Sequence, residues 1–168
     1  MVKDLNRIIV SSLNKNGWGH KLSDDAQNFT GTSQKPFDYF GVTYEFMIFG
    51  ESKLIKGGIS SFNFHKIKPH QIDSLKRIRS YVKNTLEYEN CHTVISVGFW
   101  KSRKFFYVVF IDIAAILLAL SVDKISIKQK EIQAIIDSGK YLEIKKGELQ
   151  DITNLSNKII YDFLPFQS

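Results

Sequence analysis

With 168 residues, 43% of them apolar and 24% charged, the chain has the length and composition to bury a core as one domain, residues 1–168. That balance excludes a disordered, collagen-like or low-complexity chain. The formal net charge of +6 favours polyanionic partners. A lone cysteine, Cys91, excludes an intramolecular disulfide and points to a reducing compartment. The opening MVKDLNRIIV lacks the apolar stretch of a signal peptide.

Leu5, Ile8, Ile9, Ser12 and Leu13 recur at helical spacing, and Asn14-Lys15-Asn16-Gly17 reads as the end of that helix. Ser23 to Lys35 is polar and rich in Gly, Ser and Thr, which predicts a loop. Pro36 to Phe40 reads as a short strand with a turn near Gly41, and Tyr44 to Leu54 as a second strand. Lys56-Gly57-Gly58 breaks it, and Ser60 to Phe64 reads as extended. Pro69 suits the first turn of a helix over 69–84, with Ile72, Leu75, Ile78 and Val82 on one face.

His92 to Trp100 and Lys104 to Asp112 predict two antiparallel strands joined at Lys101-Ser102-Arg103. Phe105 to Val122 is apolar enough to suggest a membrane span. Asp112 in its middle, and the change from Val/Phe/Tyr to Ala/Leu, favour a buried strand running into a helix, with no membrane partner. Ser126 is a candidate cap for a helix ended by Gly139, and the stretch from Asp151 to Asp162 is a further helix candidate.

The chemistry gathers early. Asp38 ends KPFD, and Glu51-Ser52-Lys53 follows after the expected hairpin. Side chains alternate along a strand, so Glu45, Met47, Phe49, Glu51 and Lys53 share one face. Pairing of the two strands would bring Asp38 to Glu51 and Lys53. Two carboxylates suit Mg²⁺, which takes oxygen ligands and keeps several waters. A divalent ion neutralises a phosphodiester and acidifies water, and a lysine offsets transition-state charge. The bland alternative is a strand-ending acid beside a surface ion pair. Eight cations follow between 52 and 83, namely Lys53, Lys56, Lys66, Lys68, Lys76, Arg77, Arg79 and Lys83, against one acid, Asp73. Such a belt suits a phosphate backbone, or simply a solvated helix face. Phe62 and Phe64 read as core.

Asp38, Glu51-Ser52-Lys53, Ser61-Phe62 and Ile67 to Leu75 (IKPHQIDSL) together resemble the core of the RecU-type Holliday-junction resolvases. These belong to the PD-(D/E)xK restriction-endonuclease-like superfamily and are allied to the archaeal-type resolvases. The family pattern runs from an acid through a hairpin to E-A-K, then S-F-P-L, then a helix opening with H-Q-I. Ser126 to Ile132 (SIKQKEI) resembles a later family segment, so the likeness spans roughly residues 35 to 140.

The resemblance implies an α/β restriction-endonuclease-like fold, a central mixed β-sheet flanked by helices. It implies Mg²⁺ or Mn²⁺ held by Asp38, Glu51 and the Ser52 carbonyl, with Lys53 positioning the nucleophile and Gln71 facing the site. The implied activity is structure-selective cleavage of DNA, foremost four-way junctions in recombination and repair, by a homodimer in the cytoplasm of a bacterium or a phage-infected cell. Duplex or flap cleavage, and DNA binding with a decayed site, are the other readings. Candidate DNA contacts are Thr30, Thr32, Ser33, Lys35, Lys56, Lys66, Lys68, His70 and Arg77. There are two departures. Asn6 stands where the family carries a metal-assisting helix glutamate, with Asp4 or Glu45 as the acids that would replace it. Only about twenty residues separate Trp18 from Asp38, where RecU proteins insert a long stalk.

Overall fold

The computed structural model describes residues 2–22, 35–84 and 90–167. Seven strands form one mixed sheet in the order β1-β2-β3-β5-β6-β8-β9. Helix α1 (Val2–Asn16) leads into β1 (Gly17–Lys21), β2 (Tyr39–Thr43) and β3 (Met47–Lys56). These three strands pair antiparallel in chain order. The chain then crosses over through the short β4 (Phe62–Asn63) and α2 (Pro69–Asn84) to β5 (Cys91–Lys101), which lies parallel to β3. A helical crossover is what a parallel neighbour requires. Next come β6 (Lys104–Asp112), α3 (Ile113–Ser121), β7 (Ser126–Ile127), α4 (Gln129–Asp137), and the hairpin β8 (Leu142–Lys145) with β9 (Glu148–Leu149). The two short strands β4 and β7 make a small separate sheet.

Both faces of the central strands are covered, which is why β5 and β6 read as nearly continuous apolar runs. Ile95, Val97 and Phe99 of β5, with Val109 and Ile111 of β6, pack under α2, α3 and α4. The alternate residues Val94, Val108 and Phe110 pack on the other face with Leu5, Ile9 and Leu13 of α1. Ile48 belongs to that second layer, so Gly50 and Ser52 look toward α1, while Phe49, Glu51 and Lys53 look toward α2. Phe62 and Phe64 are core, as expected.

Several boundaries differ from expectation, each for a physical reason. The strand expected over 36–40 is β2, Tyr39–Thr43, and Gly41 lies inside it. A Cβ at Gly41 would sit 2.8 Å from a Leu13 methyl and 2.8 Å from the Trp18 carbonyl oxygen. This glycine therefore marks the close approach of α1 to the sheet, not a turn. The turn falls at Tyr44-Glu45, where Thr43 N–H donates to the Phe46 carbonyl at 2.8 Å and the Thr43 hydroxyl accepts from Glu45 and Phe46 N–H at 3.2 Å each. Glu45 is exposed in that turn, outside β3. Gly17 not only ends α1 but opens β1, pairing with Thr43.

The junction of β6 and α3 falls where the sequence suggested, at Asp112, whose carboxylate caps α3 by accepting Ala114 N–H at 2.8 Å. No helix among the described residues is long and apolar enough to cross a membrane. Ser126 does not cap α4. It pairs with Asn63 in β7, and Glu131 reaches back to the Lys128 N–H at 2.7 Å instead. The helix expected over 151–162 is a 3₁₀ turn, Ile152–Asn157, after which the chain extends. The sheet takes that extension, since Ile160 N–H donates to Phe110 and Asp112 N–H to Ile160, both at 2.8 Å.

Candidate active site

Asp38 sits immediately before β2, where its N–H donates to the Gly50 carbonyl at 2.9 Å. That bond extends the β2–β3 pairing by one residue and sets Asp38 beside Glu51. Its carboxylate then bridges the strands, with Oδ2 accepting the Ser52 N–H at 2.9 Å and Oδ1 meeting Lys35 Nζ at 2.6 Å. Both carboxylates are out of solvent, Asp38 at 5% exposure and Glu51 at 3%.

On the α2 face Glu51, Lys53 and Gln71 close a ring. Glu51 Oε1 accepts from Lys53 Nζ at 2.8 Å and from Gln71 Nε2 at 2.6 Å. Gln71 Oε1 accepts from Lys53 Nζ at 3.2 Å and from the Lys68 N–H at 2.9 Å. The last bond is half of a capping box, because Gln71 is the third residue of α2 and Lys68 the residue before its first turn. Pro69 fixes the entry to that turn. The backbone geometry that starts α2 thus also aims the Gln71 amide at Glu51. With ammonium and N–H donors on one side and a carboxylate on the other, the network leaves one orientation for the amide.

The electrostatics are poised. Burial, and then the charge of Asp38, push the Glu51 carboxyl up to about 7, against the opposing pull of Lys53 and Lys35. Glu51 Oε2 is buried and has no hydrogen-bond partner among the described residues. Beneath the site, Tyr39 lies across Gly50, where a Cβ would be 2.2 Å from its ring, and its hydroxyl bonds Ser96. Burial holds the Tyr39 phenol above its ordinary value, so it stays neutral.

This donor set fits a divalent cation. Two buried carboxylates of like charge stand side by side, and one oxygen is orphaned. The N–H and C=O of one strand residue point to the same side, so the Ser52 carbonyl looks toward Asp38, as its N–H does. Oxygen donors of this kind are those that Mg²⁺ or Mn²⁺ takes, with one or two protein carboxylates and several waters.

The structure brings together Asp38, Glu51, Ser52, Lys53 and Gln71, and adds Lys35 as an ion-pair partner of Asp38. Lys68 and His70 flank Gln71 at the start of α2, Lys68 exposed and His70 half-buried. Lys66 is exposed in the 3₁₀ turn just before, and Lys56 at the end of β3, about 10 Å along the strand from Lys53. Arg77 is exposed too, but turned about 120° from Gln71 around α2. Arg79 is withdrawn from the basic belt, since it pairs with the buried Asp112. Thr30, Thr32 and Ser33, with the rest of the expected loop before Lys35, lie outside the described residues, as does the side chain of Asp4.

The replacement acid proposed at Glu45 does not reach the site. It is in the turn before β3, and from Met47 to Glu51 the strand alone spans about 13 Å. Asn6 is 2% exposed, its Oδ1 without a partner among the described residues, on the helix covering the opposite face of the sheet from Glu51. Sequence reasoning did not anticipate the Lys35–Asp38 pair or Tyr39 beneath the carboxylates. The i,i+3 spacing of Lys35 and Asp38 was the one visible signal.

No protein-family model matches the chain, and no curated protein matches it.

Proposed function

We propose that this chain is a metal-dependent DNA endonuclease of restriction-endonuclease-like fold, acting on branched DNA and foremost on four-way junctions. One observation carries the reading: two buried carboxylates from neighbouring strands meet a lysine and a helix glutamine, with Glu51 Oε2 unpaired among the described residues. A decorative surface ion pair would be solvated. This group is buried and held by Lys35, the Ser52 N–H, Lys53 and Gln71.

Asp38, Glu51 and the Ser52 carbonyl would hold Mg²⁺ or Mn²⁺. Such an ion, when bound, neutralises phosphate charge and makes water a nucleophile near neutral pH. Lys53 Nζ, bonded to both Glu51 and Gln71, orients the attacking water and offsets charge growing on the phosphoryl oxygens. Gln71 holds Glu51 in place and keeps Lys53 at the mouth of the site. Lys66, Lys68 and His70 supply the positive rim against which a DNA backbone is held, while Lys56 alternates to the other face of β3. Symmetric cutting of a four-way junction needs two such sites, hence a two-fold dimer.

Labelled four-way junction, flap and duplex of one sequence, each incubated with the protein in Mg²⁺ or Mn²⁺, test this reading. Paired symmetric nicks in the junction, with little cutting of duplex, are expected. Equal cutting of all three would replace junction resolution by general endonuclease action. Binding without any cutting would make the chain a DNA-binding protein.

A further inference from the structure

The face of the sheet that carries Glu51 and Lys53 continues, beyond α2, onto β2 and β1, and there it is aromatic. Gly19 and Gly41 turn toward Leu13 of α1, so their strand neighbours point the other way, onto the face of Glu51. His20 pairs with Phe40, and Phe40 with Phe49. The rings run edge to face and face to face from the sheet edge inward. Trp18 and Phe40 have centroids 5.2 Å apart, His20 and Phe40 5.7 Å, and Phe40 and Phe49 lie stacked at 6.1 Å. Trp18 and His20 are nearly parallel, 8° between planes. Trp18 is 52% exposed and His20 is also exposed. Helix α2 packs on β3 and β5, and among the described residues no helix packs on the rings of Trp18 and His20, which stay exposed.

The row ends at the carboxylates. Phe49 precedes Glu51 by two residues on the same face, and Phe37, whose ring meets Phe40 and Phe49, adjoins Asp38. Phe40 lies two residues along β2 from Asp38, about 7 Å, and β1 is two strand spacings, about 10 Å, from β3. Trp18, in register with Val42 and Met47, is four residues, about 13 Å, further along the strands than Glu51, which puts it about 16 Å from the carboxylates. A DNA strand lying along the row would carry its phosphates toward Lys35 and Lys53, with the base on Trp18 a few nucleotides from the site. Flat π-faces joined through phosphates are the nucleotides of a single strand. Aromatic side chains bind such bases by stacking, and do so without regard to base identity. In paired duplex the same faces are stacked on one another and cannot reach.

We propose that Trp18, His20 and Phe40 form a stacking platform for unpaired DNA bases within a few nucleotides of the scissile phosphate. The inference rests on the nuclease reading for the phosphate position. It makes the substrate DNA that offers a splayed base, as branch points and flaps do. A second copy of the chain is the competing occupant, and the lysines beside the row, Lys35 and Lys53, favour a polyanion over it.

The test is binding without divalent metal, so that cleavage plays no part. Labelled oligothymidylate and an abasic oligomer of equal length are titrated with wild type, Trp18→Ala and Trp18→Phe, followed by fluorescence anisotropy. Wild type is expected to bind the thymidylate about tenfold tighter than the abasic strand. Trp18→Ala should erase that preference while leaving abasic binding unchanged, and Trp18→Phe should keep most of it. Equal binding of both strands by wild type, or a preference that survives in Trp18→Ala, overturns the platform. So does a Trp18→Ala change in oligomeric state with the base preference intact, which would assign the face to a second copy. Cleavage in Mg²⁺ is read separately. If it fails while the base preference holds, the nuclease reading falls and the platform stands. If it succeeds while the preference is absent, the reverse is true.

Discussion

Glu51→Gln is expected to lower metal-dependent cleavage about a thousandfold and, at the same time, to stabilise the metal-free protein above neutral pH. The two effects have one origin. Glu51 is buried at 3% exposure beside Asp38, and its carboxyl rises from 4.5 to about 7. Between those values the folded chain holds a proton that the unfolded chain has released. The associated stability is fully present below 4.5 and is lost as pH rises through about 7. That difference corresponds to about 3 kcal/mol. Glutamine keeps an oxygen for Lys53 and Gln71 and removes the titration, so the variant should not show this loss. Urea unfolding of both proteins in chelator, from about pH 5 to about pH 8, measures it. The comparison cancels the titrating groups that do not interact with Glu51. A variant as cleavage-competent as wild type would remove Glu51 from the chemistry.

Arg79→Ala is the substitution expected to cost most in stability. Arg79 on α2 pairs with Asp112, which is 2% exposed and caps α3. The pair ties together two helices and the end of β6. Its loss strands a carboxylate that burial already pushes above its ordinary value. Breaking one side of a buried pair costs about 3–5 kcal/mol, and the lower end applies here because the Ala114 N–H remains and Arg79 is partly exposed. Thermal unfolding should shift down by about 10 °C. Adding Asp112→Asn to Arg79→Ala should recover much of the loss, because asparagine still caps α3 and carries no charge. Additive losses would place the effect elsewhere.

Much of the candidate site was legible because it depends on local rules. Alternation along one strand puts Glu51 and Lys53 on the same face, and pairing with the preceding segment places Asp38 beside them. Pro69 marked the start of α2, and with it the position from which Gln71 reaches Glu51. These inferences tolerated a boundary error of a few residues in β2. The error itself came from Gly41, whose role is to let Leu13 approach the sheet, a tertiary fact that no local pattern carries. The same applies to the segment around Ile160, whose pattern allows a helix but whose backbone is taken by the edge of β6. The short strands β8 and β9 hinge on Lys146 and Gly147, both at positive φ. That pair is a hairpin signal, and it sits between runs too short to stand out. The basic belt was legible as a count and not as a surface, since Arg79 turns inward to Asp112 and Arg77 points away from Gln71. The aromatic row on β1 and β2 was not legible at all. It requires knowing that β1 exists and pairs with β2 in the register that sets His20 beside Phe40.

The central claim is that Asp38 and Glu51 jointly hold a divalent cation for DNA cleavage, and an Asp38→Asn comparison addresses it most directly. Wild type and variant are each given labelled four-way junction in Mg²⁺ and in Mn²⁺, with binding and nicking read from the same samples. Both are expected to bind the junction, and wild type alone to nick it. Binding by both with no nicking by either, or equal nicking by both, would contradict it.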